Sequence, residues 1–343
     1  MSESPRRSRE IEKEPKPPWS AVPLDVKDEV AKILRSPVAR AERVYGGYAP
    51  SATFRLKLAN GKRAFFKASY PAPTGSGVRW FMDHEAQNYR TLERFIQPWA
   101  PKFYGSFGYD GWHILLLEDL GPRSVPPWTV AKARAAARSY ARFHRKTLGK
   151  RLPRSLARTG YLEYAKFWRT LSKTGELTRT ASLAGKRVVE AEEWLYVALP
   201  VFVARERDLE RARPPFALLH FDTRSDNVRI HGDRLRIFDW PFACAGPAEF
   251  DVVAFCQAVA AEGGPAAERV LEWYEEVLRL RPAMIDASLA GISGYFADRA
   301  WRPPIEGLPR VRRWQSTQLK ECLRWAARRF DLPEPLWLDT VAG

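Results

Sequence analysis

Asp222, Asn227 and Asp239 fall within the stretch LLHFDTRSDNVRIHGDRLRIFDW, residues 218–240. Two aspartates and an asparagine so close together either cap loops or serve chemistry. A carboxylate and an amide oxygen are hard ligands, suited to a Mg²⁺ ion that also holds phosphate oxygens. A further carboxylate can orient a hydroxyl and accept its proton. The segment VRIHGDRLRI alternates like a hairpin, with Gly232-Asp233 as its turn. Val228 and Ile230 then face Ile237 and Leu235. This register sets Asn227 and Asp239 at the open end, on neighbouring strands about 5 Å apart. Asp222 lies on the loop entering the first strand.

A second chemical candidate lies upstream, in TFRLKLANGKRAFFKA. Asn60-Gly61 suits a two-residue type I′ turn between alternating strands. In that register Leu58 faces Arg63, Leu56 faces Phe65 and Phe54 faces Lys67. Lys67 then shares a sheet face with Phe54, Leu56 and Phe65, where a cation needs an anion or a carboxylate partner. The segment DHEAQNYRTLERF offers Glu85, which recurs with Tyr89 and Leu92 at helical spacing on one inward face. In YGGYAPSATFRL, Gly46 and Gly47 permit close backbone approach, and Ser51 can donate to a phosphate.

The elements that must position these residues divide in two. At 343 residues the chain is long for one compact core, and two lobes are expected. Strand-like segments dominate from 41 to 120 and helix-like segments follow, which indicates an α+β architecture. FYGSFG and WHILLLEDLG read as strands, the second apolar enough from Ile114 to Leu117 to be buried on both faces. Gly121 and the prolines at 122, 126 and 127 end this part. TVAKARAAARSYARFHRK is an amphipathic helix, with Thr129 to cap its start and Gly149 its end. Further helical patterns lie around 161–173, 184–209, 265–279 and 314–330. The predicted organisation is a disordered leader over 1–20, a first lobe over 21–117, a hinge and linker over 118–127, and a helical lobe over 128–343.

Composition removes several classes. No stretch reaches the ~20 apolar residues of a membrane helix, and the charged, proline-rich N-terminus lacks the apolar core of a signal peptide. Cys244, Cys256 and Cys322 form no C-x-x-C pair. This argues against a disulfide framework or zinc site and fits a reducing cytoplasm. The net charge of +16 raises nucleic acid as a partner. The arginines are nevertheless spread along the chain with no zinc-finger, RRM or basic-zipper pattern, so a solvated basic surface is the favoured reading.

The spacing H-x-D-x-x-x-x-N, followed by a hairpin and an aspartate, is the arrangement used for phosphoryl transfer in kinase folds. At this point the chain resembles the aminoglycoside phosphotransferase/choline kinase-like family of small-molecule kinases. HFDTRSDN resembles its catalytic loop, IFDW its metal-binding aspartate motif, and GPAEFDVVAF the segment that follows. FFKA resembles the β3 lysine motif, HEAQNYRTL the αC glutamate motif, LLLEDLG the interlobe hinge and SYARFHRKTLG the A-x-L-H helix. The matches run in family order from about 41 to 260. Phe221 departs from the pattern where a glycine is usual, and Pro241 where an acidic residue is common. There is no D-F-G or A-P-E, which argues against a regulated protein kinase.

The resemblance implies a two-lobed protein-kinase-like fold, with a small antiparallel-sheet nucleotide-binding lobe and a mainly helical catalytic lobe. It implies ATP and Mg²⁺ as cofactors and a small hydroxylated molecule as acceptor. Asp222 would be the catalytic base or hydroxyl-orienting group, with Asn227 and Asp239 holding the metal. Lys67 would contact the phosphates, held by Glu85, and the backbone from Glu118 to Leu120 would hold the adenine. His220 reads as structural and Asp226 as a loop cap or surface carboxylate. The acceptor pocket is expected from 151–215 and 284–330. Segment 151–215 holds 13 Lys/Arg against 8 Asp/Glu. That balance favours a neutral or anionic metabolite over a polycationic aminoglycoside. A nucleotide-binding pseudokinase or scaffold is the alternative; the full set of Lys67, Glu85, Asp222, Asn227 and Asp239 argues against it.

Overall fold

The computed structural model of the chain describes residues 16–45, 51–71 and 77–342. Gly46 and Gly47 lie outside the described residues. The first lobe holds helix α1 (Leu24–Leu34), strands β1 (Val38–Arg43), β2 (Ala52–Leu58) and β3 (Arg63–Ser69), helix α2 (Gly77–Ile96), and strands β4 (Phe103–Tyr109) and β5 (Trp112–Leu117). The five strands form one antiparallel sheet in the order β1-β2-β3-β5-β4. Central strand β5 is buried from Ile114 to Leu117, as its unbroken apolar run requires.

The β2–β3 register differs from the expected one by a single residue. Phe54 faces Phe66, Leu56 faces Ala64, and Thr53 faces Lys67. The loop holds three residues, closed by Leu58 N–H to the Lys62 carbonyl at 2.9 Å and Gly61 N–H to the Leu58 carbonyl at 3.0 Å. Gly61 is left-handed at φ 80° but Asn60 is not, so the type I′ turn does not form. Asn60 instead accepts from Lys62 N–H through Oδ1 at 3.0 Å and donates its own N–H to Ser36 Oγ at 3.2 Å. Because side chains alternate, the slip moves Phe54 and Leu56 to the face opposite Lys67. They pack with Phe66, Ile114 and Leu116 against Val26 and Val30 of α1. Lys67 keeps Phe65 and gains Leu115 and Leu117 from β5, on the face that looks toward α2 and the second lobe.

Residues 16–20, within the stretch expected to be a disordered leader, pack against the first lobe. Lys16 is buried, and its Nζ lies 2.9 Å from Thr53 Oγ1. The Trp19 ring packs edge-on against Phe54 and Phe66 at 5.1 and 5.3 Å. A tryptophan against the open face of a sheet buries enough apolar area to order the residues around it.

The second lobe is helical. It contains α3 (Val130–Thr147), α4 (Phe167–Thr174), α5 (Leu177–Ala181), α6 (Val188–Arg207), α7 (Ala248–Ala261), α8 (Ala267–Glu275), α9 (Pro282–Arg299) and α10 (Val311–Arg329). Two antiparallel pairs interrupt it: β6 (Ala217–Leu219) with β9 (Cys244–Gly246), and β7 (Val228–His231) with β8 (Arg234–Ile237). The β7–β8 register is the expected one, with Val228 opposite Ile237 and Ile230 opposite Leu235. Thr129 caps α3 by accepting from Lys132 N–H at 3.2 Å. Helices α7 and α9 carry apolar or small residues nearly all round and are buried. They showed no stripe in the sequence because nearly every face meets protein. Among the described residues no helix is long and apolar enough to cross a membrane.

One α2-side core runs from Met82, Tyr89 and Leu115 into the helical lobe. The lobes are also tied by Asn88 Nδ2 donating to the Trp240 carbonyl at 2.8 Å and Ile237 N–H donating to the Trp99 carbonyl at 2.7 Å.

On α9, Gly294 lets the Trp168 ring of α4 lie against the helix; an added Cβ would meet Trp168 Cδ1 at 2.8 Å. The indole Nε1 donates there to the Ala290 carbonyl at 2.9 Å, so the ring has little room to retreat. Gly294→Ala should cost about 1–3 kcal/mol through overpacking. In a thermal melt, an unchanged Tm would show that the α4–α9 contact has slack.

Candidate active site

Ser51, Lys67, Glu85, Glu118, Leu120, Asp222, Asn227 and Asp239 all line one cleft of about 830 Å³ between the lobes. Strand β3 brings Lys67 and helix α2 brings Glu85. The turn after β8 brings Asp239, and the loop between β6 and β7 brings Asp222 and Asn227. Lys67 Nζ stands 2.7 Å from Glu85 Oε2 and 2.8 Å from Asp239 Oδ1. Burial alone would lower the Lys67 pKa; the charges of Asp239 and Glu85 reverse this and hold it above its ordinary value. Burial would raise Asp239, but Lys67 brings it below the usual carboxylate range. Burial pushes Glu85 up and Lys67 pulls it back. The balance leaves Glu85 raised, to about 7, with the charged lysine at 2.7 Å opposing the rise.

Asp222 is gripped from two sides. Asn227 Nδ2 donates to its Oδ2 and to its carbonyl, both at 2.9 Å. Arg224 Nε stands 3.1 Å from its Oδ1. Burial raises the Asp222 pKa, with Arg224 opposing and Asp239 adding to the rise. Between Asp222 and Arg224, Thr223 turns into the core, its hydroxyl 2.6 Å from that of Tyr140. This alternation sends the two charged side chains into the cleft together.

His220 is buried, with Nε2 3.0 Å from the Phe238 carbonyl and its ring edge-on to Trp240 at 4.5 Å. Burial lowers its pKa. Asp226 is not a surface carboxylate: it pairs with Arg123 of the hinge and lies 3.8 Å from Arg224. The Glu118 N–H donates to the Lys102 carbonyl at 2.9 Å, and its carboxylate takes Arg236 at 2.7 Å. The Glu118 carbonyl and the Leu120 N–H form no hydrogen bond among the described residues. Phe221 takes the left-handed φ of 75° that a glycine would adopt without strain. Its ring leaves the cleft to stack on Phe250 at 5.0 Å. Pro241 and Phe242 line the cleft, and Phe242 packs against Phe81 of α2 at 5.2 Å.

Three further participants support the site, and of these only Glu262 has no place in the sequence reading. Asp251 on α7 accepts from His220 N–H at 2.6 Å, Phe221 N–H at 2.9 Å and the Tyr140 hydroxyl at 2.5 Å. In the sequence it is the aspartate of GPAEFDVVAF, the segment that resembles the one following the family's metal-binding motif. Glu262 accepts from Ser225 Oγ at 2.6 Å and Trp128 Nε1 at 2.7 Å, fixing the other end of the loop. Residues 305–308, between α9 and α10 and within the 284–330 segment expected to build the acceptor pocket, reach back to line the cleft.

Asp251 therefore shapes the loop that carries Asp222. Burial would raise its pKa, but the His144 hydrogen bond and charge, with Tyr140, hold it below the ordinary 3.8. A carboxyl depressed on folding stabilises above its unfolded pKa, and that contribution is lost as pH falls below about 4. Asp251→Ala strands three buried donors and should lose at least about 3 kcal/mol in urea unfolding at neutral pH. The deficit should narrow on acidification. Equal stability of variant and wild type at neutral pH would remove Asp251 from this role.

The fold has known counterparts. It matches an aminoglycoside phosphotransferase from Alicyclobacillus acidocaldarius with a TM-score of 0.58 and 14 % identity, over 86 % of this chain and 92 % of that one. A spectinomycin phosphotransferase in complex with ADP and spectinomycin matches with a TM-score of 0.54 and 12 % identity, over 92 % and 97 %. Choline kinase LicA from Streptococcus pneumoniae matches with a TM-score of 0.51 and 12 % identity, over 86 % and 97 %. At these identities the likeness shows the two-lobed, protein-kinase-like fold. No curated protein matches the chain. The model of the phosphotransferase enzyme family matches residues 46–285, which include Ser51, Lys67, Glu85, Glu118, Leu120, Asp222, Asn227 and Asp239, and the chain belongs to that family.

Proposed function

We propose that the chain moves the γ-phosphoryl group of ATP to a hydroxyl of a small molecule. The observation that carries this reading is the meeting of Lys67, Glu85 and Asp239 in one charged cluster, in the cleft that also holds Asp222 and Asn227. Phosphoryl transfer needs little covalent help from a protein; it needs positioning and charge. Lys67 supplies a cation for phosphate oxygens, and Glu85 keeps it in place. The Ser51 hydroxyl is a further donor to phosphate. The Glu118 carbonyl and Leu120 N–H offer an acceptor and a donor to an adenine edge.

The donor set also fits Mg²⁺. Among the described residues no group of three or more His, Cys, Asp or Glu side chains gathers to hold an ion. Mg²⁺ in phosphotransferases is held by one or two protein ligands together with phosphates and water. Asn227 and Asp239 are the residues that would hold it, through oxygen atoms. When bound, the ion would neutralise charge on the phosphates.

Asp222 orients the acceptor hydroxyl and receives its proton. The Asn227 amide and Arg224 fix the carboxylate from two sides, so its direction does not depend on the acceptor. The acceptor itself is neutral or anionic, because Arg224 stands on Asp222 and over Trp314, and Tyr164 packs against the neighbouring Phe221.

Asp222→Asn separates this role from a structural one. ATP affinity should stay near wild type, since Asp222 serves the acceptor. Turnover should fall by about 10²–10⁴, the worth of a positioned acid–base group. Affinity, Tm and phosphate transfer are to be measured on one preparation. Wild-type turnover would exclude the role. An early melt with full rate on cooling would make Asp222 a loop cap.

A further inference from the structure

Resting on the phosphotransferase reading, we propose that the acceptor carries an anionic group, a carboxylate or a phosphate, which Arg299 receives while Asp222 takes the hydroxyl. A chain of ring contacts runs from Asp222 and Arg224, which line the cleft, through Tyr164 and Tyr295 to Arg299. The Tyr164 ring stands 5.4 Å from Phe221, the neighbour of Asp222, and 5.1 Å from Tyr295. The guanidinium of Arg299 lies over Tyr295 and over Phe167, 5.9 Å from each ring. Arg224 lies over Trp314 at 4.9 Å with its Nε on Asp222. The Tyr295 phenol senses all of these charges. Burial raises its pKa, Arg299 and Arg224 oppose the rise, and Asp222 adds to it.

Charge at the Arg299 end of these contacts is unbalanced. Arg299 Nε is 3.2 Å from Asp298 Oδ2, but Asp298 also takes Arg302 at 2.8 Å. One buried carboxylate thus serves two guanidiniums. Arg312 braces the same corner, donating to the Arg299 carbonyl at 3.1 Å and to Gln315 Oε1 at 2.8 Å. Burial lowers its pKa, and the charges of Arg299 and Arg302 lower it further. The Arg299 side chain is 39 % exposed, and its Nη atoms make no hydrogen bond among the described residues. Glu306, on the turn that lines the cleft, is exposed. A guanidinium edge open to solvent, flanked by aromatic faces, matches a carboxylate or phosphate in a fork geometry. A polyamine would meet like charge there, which selects against it.

The test uses matched acceptors that differ in charge. One set is gluconate, glucose 6-phosphate, glucose and glucosamine; the other is glycerate, glycerol 3-phosphate, glycerol and serinol. Transfer from ATP is followed by ADP release and product mass. The better anionic member of a set should exceed its amine member about 10–100-fold in kcat/KM, the range of one charge-assisted contact. The carboxylate and phosphate arms tell which group is taken. Arg299→Gln should raise the KM for that acceptor by a similar factor and leave the KM for ATP unchanged; Arg299→Lys should recover part of the loss. If Arg299→Gln does not fold, the wild-type ratios decide. Faster transfer to glucosamine or serinol, or an equal loss for charged and neutral members in Arg299→Gln, would overturn the proposal. So would no transfer to any member. Lys67-dependent ATP binding, measured alongside, then shows whether the phosphotransferase reading itself survives.

Discussion

Lys67 is the point where the two lobes share a charge. Its side chain is 15 % exposed, between those of Glu85 at 1 % and Asp239 at 32 %. A buried cation with one partner removed costs about 3–5 kcal/mol, so the surrounding structure must deliver both carboxylates. The β3 strand sets the direction of Lys67, the inward face of α2 sets Glu85, and the end of the β7–β8 hairpin sets Asp239. A shift in any of the three would leave a charge unpaired. The same cluster gives a phosphate-bearing ligand a cation that is already desolvated and held.

The second constraint is backbone shape. Phe221 and Asp239 both sit at positive φ, 75° and 69°. Each costs on the order of 1–3 kcal/mol for a residue other than glycine, and persists only where the surroundings over-determine it. Asp251 supplies that for Phe221 by binding two consecutive N–H groups. Lys67 and the hairpin supply it for Asp239. Phe221 adjoins Asp222, and Asp239 is itself a proposed metal ligand, which places rigidity where orientation matters.

Much of this was legible before the structure, though unevenly. The β7–β8 register followed from Gly232-Asp233, because strong alternation on both sides of a two-residue turn leaves one pairing. The same reasoning failed at Asn60-Gly61, where Ser36 and Lys62 take up Asn60 and the loop closes over three residues. Lys67 still points into the cleft, since the side it takes is set by Phe65, Leu115 and Leu117 rather than by Phe54. Glu85 was legible because Tyr89 and Leu92 share its face. Helices α7 and α9 were not, being buried on nearly every face. Residues 305–308 and Arg299 lie in a segment expected at the acceptor pocket, but where they stand depends on how α9 and α10 pack, and that information is not local. Arg224 offered only its place two residues after Asp222.

The direct test is isothermal titration of a non-hydrolysable ATP analogue into wild type and Lys67→Ala, each with Mg²⁺ and with EDTA. Wild type should bind in Mg²⁺. Removing either the metal or the Lys67 ammonium should weaken binding at least about tenfold, the worth of one charge-assisted contact. Equal affinity in all four titrations would contradict a phosphate site built on Lys67, Glu85 and Asp239.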